Sequence, residues 1–121
     1  MSDTANILLV DDEPGMLRYI RTLLEVDDYK VETATTGEEA VAMVQKGLRP
    51  DLILLDLLMP GIDGLQTLEQ LRCVSQIQIE DTACFIDGDR VVCAHTRTAR
   101  KQVGNHAAAR SFAHVIGIRF E

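Results

Sequence analysis

Three aspartates in this chain stand where chemistry can be done. Asp11 and Asp12 directly follow a short apolar run, Asn6-Ile-Leu-Leu-Val10, and Asp56 directly follows another, Leu52-Ile-Leu-Leu55. Apolar runs of four or five residues have the pattern of strands buried on both faces. In a parallel α/β sheet the carboxyl ends of the strands share one edge, and ligands gather where strand order reverses. If the two runs are neighbours, three carboxylates converge within a few ångströms. Like charges that close either raise a pKa or bind a cation. Oxygen donors with open positions suit Mg²⁺, which keeps several waters and takes one or two carboxylates. Such a cation would also neutralise a phosphoryl group arriving at one carboxylate. A single aspartate after a strand is ordinarily a cap or a turn residue. A doublet and a singlet ending two buried strands point to a site instead.

The elements that must position these groups are legible around them. Pro14 suits a first helical turn, where its missing N–H costs little. Met16, Leu17, Ile20, Leu23 and Leu24 then recur as one helical stripe. Tyr29 to Ala34 is a second strand candidate. Thr36 with Glu39 matches a capping box, Ala40, Val41 and Val44 supply the stripe behind it, and Gly47 is placed to end that helix. Pro60, Gly61 and Gly64 break the chain after Asp56, and Leu65, Leu68 and Leu71 resume a helical period. Strands alternating with helices imply a parallel sheet with helices on both faces.

At these residues a family resemblance emerges. Val10-Asp11-Asp12-Glu13, Asp51-Leu-Ile-Leu-Leu-Asp56 and Met59-Pro60-Gly61-Ile62-Asp63-Gly64 resemble the receiver domain of two-component response regulators, over residues 5–72. The resemblance implies an α/β, flavodoxin-like three-layer sandwich with strand order 2-1-3-4-5. It implies that Asp56 accepts a phosphoryl group from a sensor histidine kinase or phosphotransfer protein. It further implies a Mg²⁺ site made of Asp11, Asp12, Asp56 and the backbone carbonyl of Leu58, with Asp12 bound directly and Asp11 through water. Pro60 and Gly61 would shape the loop beside it, and Gly64 would let the next helix start close by. No catalysis is implied beyond self-phosphorylation and dephosphorylation at Asp56.

The rest of the chain departs from that pattern. The family places a Ser or Thr at the end of its fourth strand, near Cys84–Ile86 here, and a Lys followed by Pro at the end of its fifth, near His106. Neither stands there. Thr82 and Lys101 are the nearest residues of those types, no motif supports either, and the two switch roles are left unassigned. Composition changes at the same point. Residues 1–72 hold six Lys/Arg and fourteen Asp/Glu, a balance of −8, and residues 73–121 hold six and five, a balance of +1. All fourteen leucines lie in the first part, whereas all three cysteines and all three histidines lie in the second. A segment of ~50 residues without leucine is improbable by chance. The chain therefore reads as one receiver-like domain over 1–121, with a βαβαβα half at 1–72 and an atypical or replaced second half at 73–121.

That second half has its own pattern. Ile77 and Ile79 alternate as in a strand. Ala83-Cys-Phe-Ile86 and Asp89-Arg-Val-Val-Cys93, joined across Asp87-Gly88, read as a β-hairpin, because Asp-Gly favours a tight type I′ turn. Residues 97–112 suit a helix interrupted by Gly104, and 113–120 a last strand. The overall length of an ordinary receiver, without the leucines and prolines, suggests a second half exchanged by a frameshift or junction. The alternative function is then an interaction or assembly protein, with the receiver half as scaffold and an open sheet edge pairing with a second copy.

Other classes find little support. The spacing of Cys84, Cys93, His95 and His106 matches no zinc pattern. Cys93 and His95 lack a third orienting group for thiol catalysis. Near the acidic cluster no general base or oxyanion donor for a hydrolase is evident. A net charge of −7 argues against a nucleic-acid-binding surface over the whole chain, although Arg97, Arg100, Lys101 and Arg110 form a local basic cluster. No apolar run approaches the ~18 residues of a membrane span. The N-terminus has no signal-peptide pattern, and three cysteines without tight spacing read as reduced thiols, which together point to the cytoplasm.

Overall fold

The computed structural model describes residues 6–74, 83–87, 90–93 and 119–120. Its elements run β1 (Asn6–Val10), α1 (Pro14–Val26), β2 (Lys30–Ala34), α2 (Gly37–Gln45), β3 (Leu52–Asp56), α3 (Gly64–Val74), β4 (Ala83–Asp87), β5 (Arg90–Cys93) and β6 (Arg119–Phe120). They build one sheet of order β2-β1-β3-β4-β5-β6. The first four strands are parallel, β5 runs antiparallel to β4, and β6 runs parallel to β5.

This is the expected doubly wound architecture, with the expected hairpin attached. β4 lies parallel beside β3 and fills the edge that the assembly reading leaves open. β4 and β5 pair antiparallel, with Asp87 opposite Arg90 across the two residues that join them. Of the last strand expected at 113–120, Arg119–Phe120 is a strand. The expected strand around Ile77 and Ile79, the helix at 97–112, and Thr82, His95, Lys101 and His106 lie outside the described residues.

Period-2 alternation splits the core into two layers. Ile7, Leu9, Leu52, Leu54 and Cys84 face α1, which contributes Leu17, Ile20 and Leu24. Leu8, Val10, Ile53, Leu55 and Phe85 face α2 and α3, which contribute Ala40, Val44, Leu68 and Leu71. Leucine and isoleucine therefore fill both faces of β1 and β3, which is why those strands read as unbroken apolar runs.

Two stripes are narrower than the sequence suggests. Met16 is exposed, and α1 buries Leu17, Ile20 and Leu24. Leu65 is also exposed, and α3 buries Gly64, Thr67, Leu68 and Leu71. A helix hides only the arc that meets the sheet, and residues one position off that arc reach water.

Local chemistry sets the helix ends. The Thr36 hydroxyl accepts the Glu39 N–H at 3.0 Å, as a capping box requires. The return bond comes one residue earlier than expected, because Glu39 accepts from the N–H and hydroxyl of Thr35. Gly47, at φ 117°, closes α2 with its N–H on the Val44 carbonyl and the Leu48 N–H on that of Met43. These two bonds make a Schellman motif. α1 ends by the same pair of bonds, made by Asp28 and Tyr29, with Asp28 at φ 69° in the place where glycine is preferred.

Candidate functional site: an acidic cluster at the carboxyl edge of the sheet

β1 and β3 are adjacent and parallel, with Val10 opposite Leu55. The residues that follow, Asp11 and Asp56, thus emerge side by side. Both carry the parity of the α1-facing layer, one step beyond Leu9 and Leu54. One carboxylate oxygen from each of Asp11, Asp12 and Asp56 lies within 4.8 Å of the other two. Asp11 is buried, Asp56 half-buried and Asp12 exposed. The cluster opens to solvent on the Asp12 side.

Backbone groups fix the carboxylates. The Asp11 N–H donates to the Ala34 carbonyl and extends the β1–β2 ladder by one residue. The Asp11 carboxylate accepts the Glu13 N–H at 3.0 Å, which turns the chain into Pro14 and α1. The Asp56 carboxylate accepts the Leu58 N–H at 3.3 Å. Leu58 thereby sits in the turn against the site, its side chain exposed. Pro60 is exposed, and Gly61 takes the left-handed conformation at φ 77° that its lack of a side chain permits. Gly64 begins α3 directly over the site strand. A Cβ there would stand 2.7 Å from the Asp56 carbonyl oxygen and 3.0 Å from Leu57 Cα.

The electrostatics are those of crowded acids. Burial pushes Asp56 up from the ordinary 3.8 to about 6, and the negative charges of Asp11 and Asp12 add to the rise. Asp11 is also raised, first by burial and then by Asp12 and Glu13, against the lowering effect of the Glu13 N–H. Interaction between the two carboxyls raises Asp56 further. No cationic side chain is among the causes of either shift, and Arg21 on α1 pairs with Glu25.

The donor set fits a small hard cation. Mg²⁺ holds its six oxygens at ~2.0–2.1 Å, which places them about 2.9 to 4.2 Å from one another. A slight closure of the three carboxylates, or one bond made through water, meets that requirement. Excess negative charge and raised pKa values are what a divalent cation would relieve.

Sequence reasoning expected Asp11, Asp12 and Asp56 to converge, and the structure brings their carboxylates together, with the Leu58 N–H on Asp56. It missed two supports. Asp63 and Gln66 form a reciprocal cap on α3: the Asp63 carboxylate accepts the Gln66 N–H, and the Gln66 side chain accepts the Asp63 N–H. The signal was present as Asp-x-x-Gln before a helical run. The second support is Ile86. It lies opposite Asp56 on β4, and its carbonyl accepts the Leu57 N–H at 3.0 Å. The hydroxyl expected near Cys84–Ile86 is thus replaced at this register position by a half-buried aliphatic side chain.

Known proteins are similar to this chain in sequence and fold. The transcriptional regulatory protein ResD of Bacillus subtilis is 45% identical over 73 residues, 59% of this chain and 29% of that protein. The CpxR homologue of Haemophilus influenzae is 38% identical over 89 residues, 73% of this chain and 38% of that protein. The chain therefore spans about a third of the length of these relatives. Among solved structures, response regulator protein TrrA of Thermotoga maritima, in complex with Mg²⁺ and BeF, is 35% identical with a TM-score of 0.56. The match covers 68% of this chain and 66% of that one. A family model, the response regulator receiver domain, matches residues 7–102, across the compositional step after Arg72 and through the hairpin. With the β2-β1-β3-β4 parallel sheet and the acids at its carboxyl edge, this match makes the chain a member of the response regulator receiver domain family of two-component systems.

Proposed function

We propose that this domain accepts a phosphoryl group on Asp56, with Mg²⁺ held by Asp11, Asp12, Asp56 and the backbone carbonyl of Leu58. The observation that carries the reading is the convergence of three carboxylates within 4.8 Å at the ends of two adjacent buried strands. In the reaction, a carboxylate oxygen of Asp56 attacks the phosphorus of a phosphohistidine on a sensor kinase or phosphotransfer protein. The O–P bond forms as the P–N bond breaks, and the imidazole leaves. Water later cleaves the acyl phosphate and restores the carboxylate. The bound cation supplies charge neutralisation for the phosphoryl oxygens and for the acids around them.

The chain's own residues do the rest. The Leu58 N–H, 3.3 Å from the Asp56 carboxylate, orients it for attack. Burial of Asp11 keeps its charge in a poorly screened environment, which favours a cation. Pro60 and Gly61 hold the loop that borders the phosphoryl position. At pH 7 Asp56, with a pKa of about 6, is mainly ionised and nucleophilic. Ile86, at the register position beside it, donates no hydrogen bond to the phosphoryl group. We therefore expect metal binding to be retained, phosphorylation to be slow, and switching of a target surface to be lost. In this reading residues 1–72 supply the chemistry and 1–121 make one receiver-like domain, which the presence of β4 and β5 in the same sheet supports. A cytoplasmic location suits the partner class, and no helix among the described residues is long and apolar enough to cross a membrane.

The test is incubation with Mg²⁺ and acetyl phosphate, followed by intact mass measurement. The expected result is a gain of one phosphoryl group, absent in Asp56→Asn and absent without the metal. No gain in the wild-type protein, with a dimer or larger species by light scattering, would favour an assembly role through residues 73–121.

A further inference from the structure

Among the described residues, β2 is the last strand at one end of the sheet, with β1 as its neighbour. The ladder shows which of its backbone groups are left over. The Asp11 N–H donates to the Ala34 carbonyl, so Ala34 turns its backbone toward β1. In a parallel ladder alternate residues bond to the same neighbour, so Lys30 and Glu32 also bond toward β1. Val31 and Thr33 therefore point their N–H and C=O groups outward, and such an edge is a template for another strand. Side chains alternate along the same strand. Val31 is buried in the α1-facing layer, whereas Lys30 and Glu32 are exposed on the opposite face, to which Ala34 also belongs.

We propose that the β2 edge is a self-pairing surface, to which a second copy of this chain adds its own β2, antiparallel, about a two-fold axis at Val31. A two-fold axis normal to the sheet brings equal edges together in antiparallel sense. With Val31 opposite the partner's Val31, the two residues exchange both N–H···O=C bonds, because both face outward. Charge selects this register. Centred on Val31, it sets Lys30 opposite the partner's Glu32 and Glu32 opposite the partner's Lys30. Centred on Glu32, it would set two glutamates face to face, and like charges directly opposite are destabilising. Centred on Thr33, it would set Glu32 against the partner's Ala34 and gain no charge pair. Charged side chains on an edge ordinarily guard it against chance pairing. Here they complement the same edge of another copy. The paired segment is five residues long, so the contact is weak and concentration-dependent. Because the paired strands run oppositely, the two acid clusters fall at opposite edges of the joined sheet. The proposal does not depend on the phosphoryl-transfer reading, because it rests on strand parity and charge at β2.

The experiment is sedimentation velocity of the full chain over a concentration series, without Mg²⁺ or phosphodonor, in about 0.1 M salt to screen the net charge of −7. The wild type is compared with Lys30→Glu and Glu32→Lys, both at exposed positions. Expected is a monomer–dimer equilibrium in the wild type. Each variant sets like charges against each other at both symmetry-related pairs and should raise the dissociation constant about tenfold. Mixed in equal amounts, the two variants should form a heterodimer, because an acidic edge then meets a basic one. A variant that merely misfolds would not recover in the mixture. The double exchange Lys30→Glu/Glu32→Lys should dimerise as the wild type does. A wild type that stays monomeric up to about 1 mM would overturn the proposal. So would a dimer that neither variant weakens, a mixture that stays monomeric, or a dimer strengthened by Glu32→Lys, the mark of general charge repulsion between copies.

Discussion

The two faces of the sheet are packed differently. Among the described residues, one face carries α1 and the other carries α2 and α3 together. The paired helices meet closely: a Cβ on Gly37 would overlap the Thr67 hydroxyl and stand 2.6 Å from the Ile62 side chain. Thr67 is fully buried and satisfies its hydroxyl on the Asp63 carbonyl at 2.7 Å. The α1 face is the one whose parity leads into Asp11 and Asp56. The close-packed face thus anchors the loop after β3, and the α1 face delivers the reactive groups to its outer end. A receiver site needs both, because acids that repel one another stay together only if the backbone beneath them cannot yield.

Substitutions on each face should separate these roles. Leu54→Ala removes a fully buried side chain from the α1-facing layer and should cost about 3–4 kcal/mol by urea unfolding, whether or not Mg²⁺ is present. Gly37→Ala on the other face should cost about 2–3 kcal/mol, because Thr67 and Ile62 must move. If Gly37→Ala proves neutral, the claim that α2 and α3 meet closely is wrong. Gly64→Ala should cost about 2 kcal/mol and weaken Mg²⁺ binding as well, since its Cβ presses on the backbone of Asp56 and Leu57. Stability lost with unchanged metal affinity would mean that the loop does not position the site.

The site itself should destabilise the metal-free domain. Asp56 has a raised pKa, so its contribution to stability is fully present below about pH 3.8 and is lost as pH rises through about 6. Asp11, also raised, acts in the same direction. Asp56→Asn should therefore stabilise the metal-free protein at pH 7. The two-unit shift, discounted for solvent screening at a partly exposed group, gives about 1–2 kcal/mol. Thermal unfolding from pH 3.5 to 7 should show the variant and the wild type converging at the acid end. A constant difference across that range would contradict the assigned shift. The smallest effect belongs to the α1 terminus. Asp28→Gly should stabilise by about 0.5–1 kcal/mol, because φ 69° strains a residue with a side chain.

Much of this was legible in the sequence, and the reasons are particular. β1 and β3 are buried on both faces, so Ile7 to Val10 and Leu52 to Leu55 left no polar residue to blur them. The aspartates were legible because they end those strands. The hairpin was legible because Asp-Gly stands between two apolar runs that pair as expected. Met16 and Leu65 were misjudged because helical period fixes a stripe but not the width of the arc that the sheet covers. The Glu39 bond to Thr35 escaped because a carboxylate can reach either of two adjacent N–H groups, and backbone direction decides between them. The register that sets Cys84 opposite Cys93 in the hairpin was not supplied by residue types alone.

The central claim is that Asp11, Asp12 and Asp56 bind one cation together. It is tested most directly by titrating Mg²⁺ into the wild-type protein and into Asp11→Asn, Asp12→Asn and Asp56→Asn by calorimetry. The account predicts a single site in the wild type, weakened at least about tenfold, roughly 1.4 kcal/mol, by each substitution. Wild-type affinity retained in all three variants would place the metal elsewhere and contradict it.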